Sequence, residues 1–369
     1  MVRGRDAVLA MQDVLVEMSR RTGQAGAMDW LDYFMRSPDS LAKTPYLLLV
    51  GQGVGEGPDP ARVDGVRGAV LVYEYRAAGR GTRVFATDDM LGIRTVIAPA
   101  ESRTQVAEIA IRELIRCGAV MALVSLDGGV GEPEKGGGDP AYRTMRRTRW
   151  TPRYLELKRT LDETLSQLGK HTRRNLRYYR RRVEADFGAQ FVPEVEISLE
   201  DFLELNRNST NPAAEDVARW RYSLQRADAR GLTMLAGLRA EDGRWLSLIG
   251  GRRYAQTTEI DWQLNVAGLP RYSLSTVMRN YVLEHEALRG TRRLAFEGGT
   301  PHPMRFAFTN AMTADILAVR RMSARAWLLK KFSRWIFPEK NFLAAALREM
   351  RPGIVHEPRP VHVDYEDAA

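Results

Sequence analysis

An order of elements that occurs twice constrains this chain more than any other feature. A short apolar strand at Arg94–Ala98 precedes an amphipathic helix at Ser102–Arg116 and a strand at Ala119–Leu126. A strand at Glu259–Val266 precedes a helix at Ser275–Leu288 and a strand at Arg292–Glu297. In the first helix Val106, Ile109, Ala110 and Leu114 share a side; in the second Leu274, Val277, Met278, Tyr281, Val282 and Leu288 do. Gly118 and Gly290 supply the stops. The pattern reads as an internal duplication with little sequence identity left. A chain of 369 residues also exceeds what one hydrophobic core usually holds. The expectation is a mixed α/β protein of two layered domains, at 1–142 and 143–323, with a tail at 324–369.

Other elements fill out each half. Tyr46–Val50 and Ala69–Tyr75 read as strands in the first, Leu232–Leu238 and Trp245–Arg253 in the second. The latter pair is joined by the hairpin turn Glu241-Asp242-Gly243. Helices are expected at Asp6–Arg20, Leu157–Asp186, Leu199–Asn206 and Glu215–Ala229, and a last strand at Ala314–Arg320. Gly51–Pro60 and Asp127–Pro140 are rich in Gly and Pro and read as loops or linkers.

Composition then removes several classes. No stretch approaches 18 consecutive apolar residues, so no transmembrane helix is expected. The apolar run Ala7–Met11 is too short for a signal-peptide core. Cys117 is the only cysteine, which excludes a disulfide framework, a zinc knuckle or a thiol pair within one chain and suits a reducing cytoplasm. Five histidines without ligand spacing predict no metal site. The net charge is +9, and Arg143–Arg182 alone holds 14 Lys/Arg against 3 Asp/Glu. Such a block is either a solvated helix face or a surface for phosphate-bearing partners: a nucleotide cofactor, RNA or anionic lipid. In the tail, Trp327, Phe332 and Trp335 interleave with Lys330, Lys331 and Arg334, as in an interfacial helix or a helix docked on the body.

Two stretches carry a resemblance. Tyr154, Leu157, Leu165 and Leu168-Gly169-Lys170 lead into Arg173-Arg174-Asn175-Leu176-Arg177 and Arg180-Arg181-Arg182-Val183-Glu184. Later come Leu283–Gly290, Arg292–Gly299 and Met304-Arg305-Phe306. Together they resemble the GNAT-type acyltransferase domain of CelD-like and FemAB-like proteins. The resemblance covers roughly half the chain, and the first half fits by element order, as a degenerate copy. It implies two tandem GNAT-like domains with mostly antiparallel sheets flanked by helices. It also implies acyl transfer from an acyl-CoA thioester such as acetyl-CoA, or from an aminoacyl-tRNA in the FemAB branch, to an amine acceptor. Several members of the family serve polysaccharide or cell-envelope synthesis.

Such a site must hold a pyrophosphate where a strand passes into a helix N-terminus. Here that place is Leu269–Thr276. Arg271 is the candidate phosphate partner, and Ser273, Ser275 and Thr276 supply hydroxyls for the cofactor or for capping. The family's turn glycine is missing, since no glycine lies between Gly268 and Gly290. Tyr272 and Leu274 would then crowd a cofactor. A proton must also leave the amine. Glu259 and Asp261 alternate on one strand, and Glu297 ends the next, on the same face as Ala295 where the family often has an acid. Each of these acids is also a candidate for a structural ion pair, the commoner role for such a carboxylate. His302, between two prolines, and Arg305 are candidate substrate contacts. So are Arg173 and Arg177, on a helix whose Leu176, Tyr179, Val183 and Phe187 pack inward while Arg180 and Arg181 face outward.

The expected activity is N-acyl transfer from acyl-CoA without a metal. The partners would be an amine-bearing small molecule or glycan and, through the tail, an anionic membrane face. The alternatives are an aminoacyl-tRNA-dependent transferase and an inactive GNAT scaffold at the membrane.

Overall fold

The computed structural model of the chain describes residues 1–24, 26, 28–51, 66–77, 79–87, 95–127, 141–227, 232–254, 256–296, 309–321 and 324. The chain forms two compact units, 1–24, 42–151 and 311–369 in the first, 25–41 and 152–310 in the second.

The first unit opens with β1 (Val2–Arg3), α1 (Arg5–Leu9) and α2 (Gln12–Arg21). The helix expected at Asp6–Arg20 is thus two helices. Met11 N–H bonds Val8 O three residues back, which tightens the turn and resets the axis. The chain then enters the second unit for α3 (Leu31–Met35) and α4 (Pro38–Leu41). It returns through β2 (Thr44–Gly51), β3 (Val66–Ala77), β4 (Arg80–Ala86), β5 (Val96–Ile97), α5 (Arg103–Arg116) and β6 (Met121–Asp127). β2, β3 and β4 form an antiparallel meander, and β4 pairs in parallel with β6 across the α5 connection. The strand that makes the parallel pair is therefore β4, which its Gly and exposed Arg residues conceal in the sequence, rather than the stretch at 94–98. There, Val96 and Ile97 lie as a two-residue side strand on β3. β7 (Tyr142–Glu156) gives its first ten residues to this unit.

The second unit holds the rest of β7, then α6 (Leu161–Ser166), α7 (Lys170–Phe187), β8 (Gln190–Val192), α8 (Leu199–Arg207) and α9 (Glu215–Ala227). The helix expected at Leu157–Asp186 is divided in the same way. A capping box, Thr160 with Glu163, starts α6, and Gly169 starts α7. β9 (Thr233–Arg239), β10 (Trp245–Tyr254) and β11 (Thr257–Asn265) form the second meander. α10 (Leu274–Leu288) then carries the chain to β12 (Arg293–Phe296), parallel to β11. β12 pairs on its other side with Tyr154–Glu156 of β7. The final strand β13 (Thr309–Arg320), inside the range expected for the second domain, pairs antiparallel with β6 of the first unit. Each parallel pair is thus flanked by an antiparallel strand from elsewhere in the sequence.

Each unit has its own core. α5 lays Val106, Ala107, Ala110 and Leu114 on Val70, Val72 and Ala122. α7 and α10 lay Leu176, Val183, Val277, Met278 and Val282 on Leu238, Ile249, Ile260 and Leu294. A further cluster joins α8 and α9 to Leu248, Trp262 and Leu264. Glu286, wholly buried on α10, accepts hydrogen bonds from Arg253 Nη2, Thr258 Oγ1 and Thr291 Oγ1 and ties the helix to the sheet. Burial pushes its carboxyl up, but the Arg253 guanidinium and these donors leave it below the usual glutamate range.

Candidate active site

β11 ends at Asn265, and the chain turns through a short 3-10 segment, Pro270–Tyr272, into α10. After Gly268 the turn has no glycine, yet it adopts a glycine conformation. Ser273 lies in the left-handed region at φ 48°, ψ 51°, where a side chain costs roughly 1–2 kcal/mol. Its Oγ donates to Thr276 Oγ1 at 2.8 Å, and its carbonyl accepts from Thr276 N and Val277 N. No carbonyl among the described residues takes the backbone N–H of Leu274 or Ser275. Two first-turn donors thus stand at the positive end of a 15-residue helix. Tyr272 and Leu274, expected to crowd this place, are both buried in the core beneath it.

Arginines flank the turn. Arg271 is exposed and Arg182 of α7 half-buried, and their guanidinium carbons lie 5.1 and 5.0 Å from the Tyr272 ring centroid. Arg182 also donates to Arg271 O at 3.4 Å, and Tyr272 OH donates to Asp186 at 2.9 Å. Ser275 is half-exposed and Thr276 buried.

The carboxylates on β11 have partners of their own. Arg252, 1% exposed, donates to both oxygens of Asp261 at 2.9–3.1 Å, and its Nη2 lies 3.4 Å from Glu259. Tyr254 OH donates to Glu259 at 2.8 Å. A β-bulge makes this arrangement. Gly250 pairs with Trp262 and Gly251 with Ile260, so Asp261 is the extra residue. Only glycine fits at Gly250, where a Cβ would sit 2.2 Å from the Trp262 indole, and at Gly251, where it would sit 2.1 Å from Glu259 O.

On α7, Leu176 and Val183 are buried and Tyr179 and Phe187 pack against the core. Arg177 is exposed and pairs with Asp162 at 2.7 Å, while Arg173 is half-exposed. Arg180 differs from the outward position expected of it. It bridges Glu284 at 2.6 Å and Glu184 at 3.0 Å and lies 4.0 Å from the Tyr281 ring centroid. Burial and the hydrogen bond to Glu184 raise the Tyr281 phenol well above its ordinary value, so it stays protonated. Arg279 of α10 sits 4.7 Å from the Phe296 centroid, and desolvation lowers it to about 10. Glu297, His302, Arg305 and the tail tryptophans Trp327 and Trp335 lie outside the described residues.

Sequence reading did not find Arg252, Tyr254 or Arg182. The signal for the first two is Gly250-Gly251-Arg252-Arg253-Tyr254, where charged residues follow a glycine pair inside an apolar strand. Among the described residues no group of three His, Cys, Asp or Glu could hold a metal ion, and no helix is long and apolar enough to cross a membrane.

No family model matches the sequence, and none of the curated proteins matches it. The architecture recurs among solved structures. L-PGS from Bacillus licheniformis aligns with a TM-score of 0.50 at 12% identity, over 89% of this chain and 97% of that one. FemX aligns at 0.47 and 10%, over 76% and 90%. A tandem GNAT protein from the clavulanic acid biosynthesis pathway aligns at 0.43 and 12%, over 86% and 96%. This chain shares its two-unit mixed α/β architecture with L-PGS. At these identities the likeness concerns the fold alone.

Proposed function

We propose that the protein is an N-acyltransferase that moves an acyl group from an acyl-CoA thioester to an amine, with its site in the second GNAT-like half. The observation that carries this reading is the start of α10, where a left-handed Ser273 leaves two backbone donors open beside Arg271 and Arg182. A pyrophosphate there gains from the helix dipole and from two cations. Ser273, Ser275 and Thr276 line the turn. The amine nitrogen attacks the thioester carbonyl, the tetrahedral adduct collapses with loss of the CoA thiolate, and a base takes the amine proton. Glu297 is the base we favour among the three acids, because Arg252 holds Glu259 and Asp261. Arg173, Arg177, His302 and Arg305 are the proposed acceptor contacts. The acceptor is an amine-bearing small molecule or glycan, as in cell-envelope chemistry.

A second reading, transfer from an aminoacyl-tRNA, draws on α7. Lys170, Arg174, Arg177 and Arg181 recur along one exposed face, with Tyr178 49% exposed among them. Such a stripe suits a phosphodiester chain.

Thermal-shift titration with free CoA, acetyl-CoA and longer acyl-CoAs tests the first reading. A ligand at 100 times its Kd adds about 2.7 kcal/mol of stability, so a clear rise in Tm is expected. No rise with any CoA, together with tRNA binding that weakens steeply with salt, would move the donor to aminoacyl-tRNA.

A further inference from the structure

The chain makes a helix hairpin of α8 and α9, joined by residues 208–214. Between the helices lies a half-open cleft of about 520 Å³, within the size range of small-ligand sites. Its apolar lining is Leu199 and Leu203 from α8 and Pro212 and Ala213 from the connection. The connection is held firmly. Asn206, 3% exposed, donates from Nδ2 to Ala213 O at 2.9 Å and accepts from Ala213 N at 3.0 Å. Thr210 N bonds Asn265 O, and Ala267 N bonds Asn208 O. The cleft is therefore preformed.

Four charged side chains line it, and they are not equivalent. Glu215 and Arg219 neutralise each other along α9, at 2.7 Å. Glu200 and Arg207 of α8 are both exposed and make no ion pair or side-chain hydrogen bond among the described residues. They stand seven residues apart, about 10 Å along the helix axis, and Leu203 lies between them. One open carboxylate, an apolar side chain and one open guanidinium follow each other along one wall.

We propose that this cleft binds a zwitterionic ligand of dipeptide size, with its ammonium at Glu200, its carboxylate at Arg207 and apolar side chains on Leu199 and Leu203. An extended dipeptide spans about 7 Å, and the flexible Glu200 and Arg207 side chains close the remainder. A guanidinium offers a carboxylate two parallel N–H donors, which favours the free acid over its amide. The site goes beyond the acyl-transfer reading and does not depend on which donor α10 takes.

The test is calorimetric titration of the full chain with L-leucyl-L-leucine, its N-acetyl derivative and its C-terminal amide. The free dipeptide should bind saturably, and each blocked form about tenfold or more weakly, as expected for losing a charged hydrogen bond. Arg207→Gln should erase the preference for free acid over amide and keep that for the free amine; Glu200→Gln should do the reverse. Both side chains are exposed, so the variants should keep the parent circular dichroism spectrum and Tm. Absence of saturable binding by the free dipeptide overturns the proposal. So do equal affinities for free and blocked forms, which would mark an apolar groove without charge recognition.

Discussion

The two halves place a helix at the same point of the same topology and treat its start in opposite ways. In the first, α5 lies between the parallel partners β4 and β6, after the side strand β5; in the second, α10 lies between the parallel partners β11 and β12. At the start of α5, Arg103 folds back on the backbone, donating to Asp127 O at 3.1 Å and Ala98 O at 3.4 Å. Gln24, 2% exposed, fills the adjoining turn by donating to Val96 O and accepting from Ala98 N. At the start of α10 the arginines lie on Tyr272 instead, and Ser273 bends left-handed with two N–H groups left over. The first-turn N–H groups of α5 have no side-chain cap either, but in this copy Arg103 and Gln24 are engaged by the backbone around the helix entrance and Ser102 is unstrained. The other holds strain there, and an observed backbone outlier of this kind is a reason to look for function.

The contrast can be broken most forcefully by unfolding one half. Asp315, wholly buried in the first unit, pairs with Arg147 at 2.5 Å and accepts from Ser125 Oγ at 2.6 Å. Asp315→Ala should cost about 3–5 kcal/mol, because it strands a buried guanidinium, read as a lower urea midpoint. Acyl-CoA affinity of the folded fraction should not change. Next in size is a pair of arginine changes read by CoA titration. Arg271→Ala should raise the Kd about tenfold or more, the loss of a charge-assisted hydrogen bond, whereas Arg103→Ala should lower Tm and leave the Kd alone. Equal loss of affinity in both would erase the distinction between the halves.

Smaller effects sharpen it. Ser273→Gly should stabilise the protein by up to about 1 kcal/mol by relieving the left-handed strain. Ser102→Gly, at φ −105°, has no such strain to relieve and should not raise Tm. The smallest effect expected is a pH slope confined to the second half. His285 on α10 is pushed below its ordinary value of 6.5, first by desolvation, and lies 5.7 Å from the Phe191 ring. The unfolded chain therefore binds this proton more readily. His285 contributes stability above about pH 6.5 that is lost as pH falls through its folded value. Tm measured from pH 7.5 to 5.5 should fall less steeply in His285→Gln than in the parent.

Much of the fold was legible because helix periodicity is a property of one element at a time. The apolar stripe of α5, that of α10 up to Val282, the hairpin at Glu241–Gly243 and the inward Leu176 and Val183 follow from spacing alone. Leu288, expected on the α10 stripe, is instead 79% exposed, because it ends the helix beyond the sheet it packs on. β4 and β7 were not legible, since Arg and Gly residues interrupt any apolar alternation in the sequence, and burial in β7 falls at Tyr142, Arg147 and Leu155 without a period of two. Arg177 and Arg180 look alike in sequence, yet Arg177 stays exposed while Arg180 is drawn to Glu284, 104 residues away.

By itself the sequence determined an α/β chain of two similar halves, a basic α7 and a turn before α10 without glycine after Gly268. Only the tertiary structure decided that β13 completes the first half, that Ser273 takes the shape a glycine would have taken, and that Arg252 holds Glu259 and Asp261. The reason is physical. Periodicity says which side of an element faces inward, but a partner across a sheet depends on register, and here a single bulge at Gly250-Gly251 sets it.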